Sequence, residues 1–277
     1  MTLLSVDGTN TMHRAYHAVR PLFHKGFPTN VITGYFSILR SNLKITGAKQ
    51  CLNSFDRPGH NFRHEIHPGY KGERVKDPEK SKAIAKQLPI IVELLDTLGF
   101  AVFGKIGVEA DDVIGSTAAN YTGGLAYILS GDKDFAQELQ YKHVRLINPN
   151  KKIIVDRKNC KEVYGVVAKR MIDFLMLDGD KIDSIPGIPG VGGKTAIKLI
   201  EEYGRAEDIP FDAFPKRARE TVNIKQQLKM NRKLVTIRHD LFDANEELDL
   251  SISKMNVKAF TCICEKYGLD QLKKSFL

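Results

Sequence analysis

Several features common in secreted, membrane-spanning or zinc-binding proteins are missing from this 277-residue sequence. The four cysteines are scattered and none is spaced as CxxC, which argues against a disulfide framework and against a zinc knuckle. No uncharged apolar run approaches the roughly 18 residues that a membrane span needs. Residues 1–7 contain no basic stretch followed by a long apolar one, as a signal peptide would. We therefore expect a protein of a reducing compartment that has no contact with a membrane.

Acidic residues are fewer than basic ones. The chain contains 42 Lys and Arg against 33 Asp and Glu, which gives a formal net charge of +9. A basic surface of this size favours polyanionic partners, nucleic acid above all, although charge alone specifies no chemistry. Hydrophobic residues make up 42% of the chain, enough for a sizeable core, and this excludes wholesale disorder. The length fits one large domain or two modest ones.

One segment, residues 216–238, concentrates positive charge. It contains eight basic side chains and a single acid, Glu220. Such a run is typical either of a solvated helix face or of a nucleic-acid contact, and the residues alone leave both interpretations open. The eight are Lys216, Arg217, Arg219, Lys225, Lys229, Arg232, Lys233 and Arg238.

Short apolar runs alternate with helical patterns over the first two thirds of the chain. This alternation predicts an α/β fold with a mostly parallel central sheet flanked by helices. From about residue 180 onward no strand is predicted, and helices separated by Gly and Pro turns follow. The predicted strands are 3–6, 51–55, 101–103, 126–129 and 144–147, and the predicted helices include 31–44, 78–98, 109–120 and 168–177.

Acidic residues follow several of the predicted strands. Asp7 follows the first strand, Asp56 the second, and Asp132 and Asp134 come after residues 126–129. Because the functional crevice of an open α/β sheet lies beyond the carboxyl ends of its strands, we expect these acids at one edge. Two further groups contain carboxylates three residues apart, which places them on one helix face. These groups are Glu109, Asp111 and Asp112, and Asp180 with Asp183.

Each of these nine acids could by itself be a helix cap or a turn residue. Nine carboxylates at one edge would raise one another's pKa values unless cations neutralised them. Since no His or Cys accompanies them, the oxygen-only set suits Mg²⁺ or Mn²⁺ better than Zn²⁺, and two groups suggest two ions. Without these acids the chain has 24 acidic and 42 basic residues. An acidic pocket in a basic surface is typical of a metal-dependent nuclease.

Seven motifs carry a family resemblance. They are Val-Asp-Gly-Thr-Asn (6–10), Phe-Asp (55–56), Phe-Arg-His-Glu (62–65), Tyr-Lys-Gly-Glu-Arg (70–74), Val-Glu-Ala-Asp-Asp (108–112), Ser-Gly-Asp-Lys-Asp-Phe (130–135) and Gly-Asp-Lys-Ile-Asp-Ser-Ile-Pro-Gly-Ile-Pro-Gly-Val-Gly-Gly-Lys-Thr (179–195). In this order they resemble the 5′-nuclease or flap endonuclease superfamily. The nearest forms are the N-terminal nuclease domain of bacterial DNA polymerase I and its stand-alone bacteriophage relatives. The resemblance covers about residues 3–238.

The resemblance implies a PIN-like nuclease core at residues 1–178, with a helical arch at about residues 60–98. A helical lobe at residues 179–277 would carry a helix–three-turn–helix element. The family usually has Asn where Ser184 stands here, and Ser reaches less far as a hydrogen-bond donor. The ligands implied for the first, catalytic metal are Asp7, Asp56, Glu109, Asp111 and Asp132, and those for the second are Asp112, Asp134, Asp180 and Asp183, with sharing between the groups.

The arch region is rich in bases from residue 63 to residue 86 and contains Tyr70 beside Lys71. The residues alone leave open a solvated loop and a contact with single-stranded nucleic acid. The resemblance implies that Lys71 contacts the scissile phosphate and that Arg74 assists it. It also implies that Tyr70 stacks on a nucleotide and that Arg14 approaches a phosphate.

The glycine-rich segment 187–195 invites a P-loop interpretation, which fails. Ile188 stands where the spacing G-x-x-x-x-G-K-[ST] requires Gly, and no strand precedes the segment. We predict instead a hairpin before a helix at 194–203, whose backbone N–H groups hold a phosphate without reading sequence. The resemblance implies that K⁺ links this hairpin to duplex phosphates. The predicted DNA contacts are Gly187, Gly190, Gly192, Lys194, Thr195 and Lys198.

Taken together, the resemblance implies a Mg²⁺-dependent, structure-specific 5′-nuclease that acts as flap endonuclease and 5′-3′ exonuclease near single-strand/double-strand junctions. Two alternatives stay open: a nuclease that removes primers from RNA–DNA hybrids, and a junction-binding protein without catalysis. The expected partners are branched or nicked duplex DNA with a 5′ single strand, an RNA–DNA hybrid, and a replication polymerase. We expect a free-standing monomer in the cytoplasm of a bacterial cell or of a phage-infected host.

Overall fold

The computed structural model describes residues 1–74, 77–241 and 249–277, and a six-stranded sheet lies at its centre. The strands are β1 (Leu3–Asp7), β4 (Gln50–Ser54), β5 (Ala101–Phe103), β6 (Ala126–Leu129), β7 (Val144–Asn148) and β8 (Ile153–Val155), and a separate hairpin contains β2 (Phe23–His24) and β3 (Phe27–Pro28). The spatial order of the sheet is β5-β4-β1-β6-β7-β8. Neighbours pair in parallel except β7 and β8.

Helices cover both faces of the sheet and form the C-terminal part of the chain. They are α1 (Gly8–Ala18), α2 (Asn30–Thr46), α3 (Phe62–Ile66), α4 (Pro78–Thr97), α5 (Ala110–Asn120), α6 (Cys160–Tyr164), α7 (Met171–Asp178), α8 (Gly193–Tyr203), α9 (Lys216–Thr221), α10 (Ile224–Val235), α11 (Val257–Lys266) and α12 (Asp270–Phe276). Short 3₁₀ helices lie at Asp134–Gln140, Ala168–Arg170, Ala206–Asp208 and Phe211–Ala213. None of the helices in the described ranges is long and apolar enough to cross a membrane.

Local sequence signals explain where the helices nearest the sheet begin and end. The Asp7 carboxylate accepts a hydrogen bond from the backbone N–H of Asn10 and so caps α1. Asp77 caps α4 in the same way, with Pro78 at the first helical position. Gly47 ends α2 with a φ of 60°, a left-handed conformation that glycine adopts without strain.

Two apolar clusters flank the sheet. One joins β6 and β7 to α5, α7, α8 and α10, so the helical lobe packs on the core through a shared apolar interior. The other joins β1 and β4 to α1, α2, α4, α11 and α12. The carboxyl ends of β1, β4 and β6 therefore lie between two well-packed layers, and the side chains that follow them are held on a rigid frame.

The predicted α/β class and the five predicted strands are confirmed, each strand within about one residue at its ends. The sequence analysis missed β8 and the two-residue strands of the hairpin, which are too short to show a pattern. The helix predicted at 168–177 is instead a 3₁₀ turn followed by α7, because the Arg170 N–H bonds to the carbonyl of Val167. Residues 75 and 76 of the expected arch lie outside the described residues, and the division at 178/179 stays a prediction.

Candidate active site

Four carboxylates lie along the carboxyl edge of the sheet. Asp7 ends β1, Asp56 follows β4, Asp132 follows β6, and Asp111 lies in the first turn of α5. Asp56 accepts a hydrogen bond from the first N–H of α5, at Ala110, and this ties the helix to the strand end. The parallel register of β1 with β4 and β6 thus places acids that are far apart in sequence beside one another.

The electrostatics of this group show how close the four charges are. Burial, followed by repulsion from Asp56 and Asp132, raises the pKa of Asp7 from 3.8 to about 7. Burial also raises the pKa of Asp111 well above its ordinary value, and the charges of Asp7, Asp132 and Asp56 add to the effect. Such mutual perturbation marks a place where a cation would be strongly favoured.

A second group of acids overlaps the first at Asp132. Burial and the charges of Asp132, Asp180 and Asp183 raise the pKa of Asp134 well above its ordinary value. The Oδ1 atom of Asp134 is buried and has no hydrogen-bond partner among the described residues. Beside this group lies an open groove of about 600 Å³, lined by Asp132, Asp180 and Asp183. An unpartnered buried carboxylate oxygen is costly, and a bound cation would satisfy it.

Four residues of the site were not singled out from the sequence. Ser130 donates to Asp7 Oδ2 at 2.8 Å, and Asn10 Oδ1 accepts from the Gly131 N–H at 3.1 Å, so both hold the strand ends together. Lys133 lies 3.7 Å from Asp178 and 3.8 Å from Asp180. Ser130, Asn10 and Lys133 lie within the motifs that carry the family resemblance, but the resemblance implied no role for these three positions. The fourth residue, Asp178, lines the same groove.

Arg63 holds two of the predicted metal ligands. Its guanidinium pairs with both oxygens of Asp112, at 2.7 and 2.8 Å, and with Glu109 Oε2 at 2.8 Å. Asp112 also accepts from the Arg238 N–H at 2.9 Å. The structure therefore places Asp112 away from the carboxylate edge, because Asp111 and Asp112 are consecutive on α5 and point in different directions. That Asp112 serves the second metal stays a prediction, and it would require the carboxylate to leave Arg63.

Tyr70 does not have the exposed position expected for stacking. The ring is 4% exposed and belongs to the apolar cluster beneath the lobe, and its hydroxyl donates to Glu109 Oε2 at 3.1 Å. Burial, with the charge of Glu109 adding to it, raises the pKa of this phenol. That Tyr70 stacks on a nucleotide stays a prediction, and it would require the ring to leave the core that it fills here.

Lys71 and Arg74 both lie near Asp183, which lines the acidic groove, and their contact with a scissile phosphate stays a prediction. The Lys71 ammonium pairs with Glu109 and lies 3.9 Å from Asp183. Burial acts to lower the pKa of Lys71, but the charges of Glu109, Asp111 and Asp183 raise it above its ordinary value. The Arg74 guanidinium donates from Nε to Asp183 Oδ1 at 3.0 Å. Both cations are thus oriented by acids of the site.

The turn at Ser184 joins the arch to the lobe. Its backbone has a φ of 55°, its carbonyl accepts from His67 Nε2 at 3.1 Å, and its hydroxyl accepts from the Glu73 N–H at 3.3 Å. The Lys71 N–H also donates to the Asp183 carbonyl at 2.9 Å. Ser184 therefore supports the arch turn directly.

The predicted phosphate contacts fall into two places. Arg14 donates to Asn150 Oδ1 at 2.6 Å, in a polar pocket of about 400 Å³ that also contains Asn10 and His13. The hairpin precedes α8 as predicted, with Gly190 at a φ of 82°. A Cβ on Gly187 would come within 2.4 Å of the Asp178 carbonyl, so this glycine serves packing. The solvent-facing predicted contacts on this segment are Gly190, Gly192, Lys194 and Lys198, with Thr195 half-buried.

The basic run divides into paired and unpaired charges. Arg232 pairs with Glu207 at 2.7 Å, and Arg238 with Asp240 at 2.8 Å. Three lysines four residues apart face solvent along one side of α10 and form no ion pair within the described ranges. They are Lys225, Lys229 and Lys233. Part of the run is therefore structural, and part is a free cationic face.

The carboxylate edge fits a hard divalent cation by its chemistry. All donors are oxygens, one buried oxygen has no partner, and burial, with repulsion between the acids adding to it, raises the pKa values of Asp7 and Asp111. In the part of the chain that the structure describes, no three His, Cys, Asp or Glu side chains yet stand close enough together to hold a metal ion. Binding would therefore require some carboxylates to turn towards a common point.

Two family models match nearly all of the chain. The model of the 5′-3′ exonuclease N-terminal resolvase-like domain matches residues 2–165. The model of the 5′-3′ exonuclease C-terminal SAM fold matches residues 166–260. The second match begins before the helical lobe and includes its hairpin and α10.

Curated relatives agree with these matches. A 5′-3′ exonuclease of Aquifex aeolicus is 36% identical over 277 residues, which covers 99% of this chain and 94% of the relative. DNA polymerase I of Bacillus subtilis is 34% identical over 270 residues, which covers 93% of this chain but 30% of the polymerase. The thermostable DNA polymerase I of Thermus filiformis is 36% identical over 209 residues, which covers 75% of this chain and 24% of the polymerase. The chain thus spans less than a third of either polymerase.

Solved structures share the fold over the whole chain. A structure of T5 5′-exonuclease with divalent metal ions (zinc) bound has a TM-score of 0.66 at 23% identity and covers 100% of this chain and 98% of that one. The catalytic core of Rad2 in complex with DNA substrate has a TM-score of 0.63 at 15% identity. This match covers 99% of this chain and 91% of the Rad2 chain. These likenesses establish a PIN-like nuclease fold.

Proposed function

This chain belongs to the 5′-3′ exonuclease family, and from that membership we propose that it is a structure-specific 5′-nuclease. It would hydrolyse phosphodiester bonds near junctions between single-stranded and double-stranded DNA, as flap endonuclease and as 5′-3′ exonuclease. The observation that carries the proposal is the acidic groove of about 600 Å³, set beside two overlapping carboxylate groups in a chain of net charge +9. A protein that only binds DNA gains nothing from carboxylates aimed at phosphates.

We propose that two Mg²⁺ or Mn²⁺ ions bind at the carboxylate edge. When bound, such ions supply Lewis acids that polarise a phosphoryl oxygen and lower the pKa of a water. Glu109 would join the first group only if Lys71 leaves it. The residues proposed to hold the ions are Asp7, Asp56, Asp111 and Asp132 for the first, and Asp132, Asp134, Asp180 and Asp183 for the second.

Lys71 and Arg74 are proposed to bind the scissile phosphate. Arg74 lines the groove and pairs with Asp183, and Lys71 pairs with Glu109 and lies 3.9 Å from Asp183. An arriving phosphate offers a competing partner, so the ammonium and guanidinium can pass from carboxylate to phosphate without crossing bulk water. There they would offset the charge that develops in the transition state. The arch would thereby couple binding of the 5′ strand to assembly of the site.

The hairpin before α8 is proposed to hold the duplex. Lys194 and Lys198 project from the first turns of the helix, whose N-terminus favours anions. The carbonyls of Pro189, Gly190 and Val191 accept no hydrogen bond from any described residue. These oxygens suit K⁺, which would link the hairpin to a phosphate. The free lysines of α10 would extend the contact along the duplex.

Cleavage of a 5′-labelled flap duplex tests the proposal. With Mg²⁺ or Mn²⁺ we expect a short labelled product from near the junction, and no product in EDTA or with Asp132→Asn. An RNA–DNA hybrid carried in parallel compares primer removal with flap cleavage. Tight flap binding without cleavage in any of these metals would overturn the nuclease and favour a junction-binding protein.

The family relatives also suggest the surroundings of the reaction. We propose branched or nicked duplex DNA with a 5′ single strand as substrate, and a replication polymerase as functional partner, because relatives named DNA polymerase I contain a matching region. A monomer in the cytoplasm stays our expectation, and sedimentation with and without flap DNA would test the oligomeric state.

A further inference from the structure

A second groove, of about 430 Å³, lies between α2 and α12 and shares no residue with the acidic groove. We propose that this α2–α12 groove binds the phosphodiester backbone of a nucleic-acid strand, as a contact separate from the hairpin and α10. The inference rests on the proposed nuclease function and adds a second substrate contact to it. The lining residues are Thr33, Ser37, Arg40, Ser41 and Lys44 of α2, and Gln271, Leu272 and Ser275 of α12.

The charge of the groove is positive and uncompensated. Arg40 and Lys44 stand one helical turn apart, and neither has an ion pair or side-chain hydrogen bond within the described ranges. No acid lines the groove, and α2 contains no acidic residue over its 17 positions. On α12, Asp270 precedes the lining residues and is followed by Lys274, while Lys273 pairs with Glu265 at 2.6 Å. An anion entering the groove therefore meets two free cations and no facing carboxylate.

Neutral donors accompany the two cations. The Ser37 and Ser41 hydroxyls and the Gln271 amide form no hydrogen bond with any described residue, whereas the Thr33 and Ser275 hydroxyls donate to carbonyls of their own helices. Serine is a poorer helix former than Lys or Glu, so it is an unexpected choice for a merely solvated helix face. Short hydroxyls allow a strand to approach closely and donate to phosphate oxygens.

The walls of the groove are fixed by the core. Phe36 and Leu39 lie fully buried on the inner side of α2, and Leu272 of α12 is buried as well. Phe276 packs edge-on against Phe36, with ring centroids 6.0 Å apart. The groove therefore exists before any ligand binds, and little ordering cost would accompany binding.

The length of the groove favours a strand over a single phosphate. From Thr33 to Lys44 the helix rises ~16 Å, which matches the axial rise of about five nucleotides of one strand. The position is also separate from α10, because α2 packs on α1, α4 and α12, whereas α10 packs on α7 and α3. A strand held here would add phosphate contacts to those of the hairpin and α10 without competing for them.

Salt-dependent binding of flap DNA tests the inference. The variant is Arg40→Gln with Lys44→Gln, and the matched control removes two exposed charges elsewhere, Lys142→Gln with Lys258→Gln. Binding is measured by fluorescence anisotropy in EDTA between 50 and 200 mM salt. Loss of two phosphate contacts should reduce the slope of log K against log salt by about 1.8. Between 50 and 200 mM salt the variant should therefore lose about tenfold less affinity than the wild type loses. A slope and affinity equal to those of the control overturn the inference.

Two further arms separate the alternatives. Ser41→Glu keeps both cations but adds a negative charge to the groove, so it should weaken flap binding, and unchanged binding would contradict the inference. Inorganic phosphate, added at constant ionic strength, should not weaken binding of the flap. If it lowers the affinity of the wild type to that of the double variant, the groove is a site for a small phosphate and the inference is overturned. If the wild type cleaves the flap while the groove variant binds like its control, the nuclease stands and the groove contact fails.

Discussion

Replacement of Asp7 by Asn is expected to stabilise the metal-free protein at pH 8 and to abolish its nuclease activity. Asp7 is 5% exposed, and burial, followed by repulsion from Asp56, raises its pKa from 3.8 to about 7. Between these two pH values the folded protein keeps a proton that the unfolded chain has released. The contribution of Asp7 therefore lowers the free energy of unfolding as pH rises from about 4 to about 7. At pH 8 this destabilisation by the buried, charged carboxylate is complete.

The size of this destabilisation follows from the shift in the pKa of Asp7. About three pKa units correspond to about 4 kcal/mol in the free energy of unfolding. Asn keeps the side-chain acceptor for the Asn10 N–H but disturbs the bond from Ser130, which costs about 1 kcal/mol. The net gain is about 3 kcal/mol, or about 6–12 °C in Tm for a chain of this size.

Calorimetry in EDTA measures this gain, with Asp96→Asn as a matched control because its carboxylate is exposed. Near pH 4 the Asp7 variant and the wild type should melt at nearly the same temperature, since the folded wild type is then protonated. Mg²⁺ at 100 times its Kd should stabilise the wild type by about 2.7 kcal/mol and leave the variant almost unchanged. A variant that melts at or below the wild type at pH 8 would refute the reasoning.

Three other changes probe separate parts of the structure. Arg63→Gln leaves the buried Asp112 carboxylate without its counter-charge, so the free energy of unfolding in urea should fall by about 3–5 kcal/mol, while exposed Arg57→Gln should have almost no effect. Ser184→Asn should raise stability by about 0.5–1 kcal/mol, because Asn tolerates the left-handed backbone better, and a lower Tm would contradict this. Removing the free charges of α10 should reduce the salt slope of duplex binding by about 2.7 and leave the maximal cleavage rate unchanged; an unchanged slope would exclude these lysines from the contact. The three are Lys225, Lys229 and Lys233.

The sequence determined the features that depend on neighbouring residues. Alternation of apolar runs with helical patterns predicted the parallel sheet, because burial on both faces requires it. An acid at the end of a parallel strand or within a few residues of it must lie near the carboxyl edge, so the positions of Asp7, Asp56 and Asp132 could be predicted before the structure. The glycine spacing likewise predicted a hairpin before α8. These inferences hold because strand, turn and cap chemistry act over a few residues.

Only the tertiary structure decided which partner each side chain meets. Asp111 and Asp112 are adjacent in sequence, yet one joins the carboxylate edge and the other pairs with Arg63, because consecutive helical positions point about 100° apart. Tyr70 lies in a basic, loop-like segment, but its ring enters the core that the lobe completes. The α2–α12 groove joins residues separated by more than 200 positions. Such contacts depend on the packing of whole elements, which no local pattern specifies.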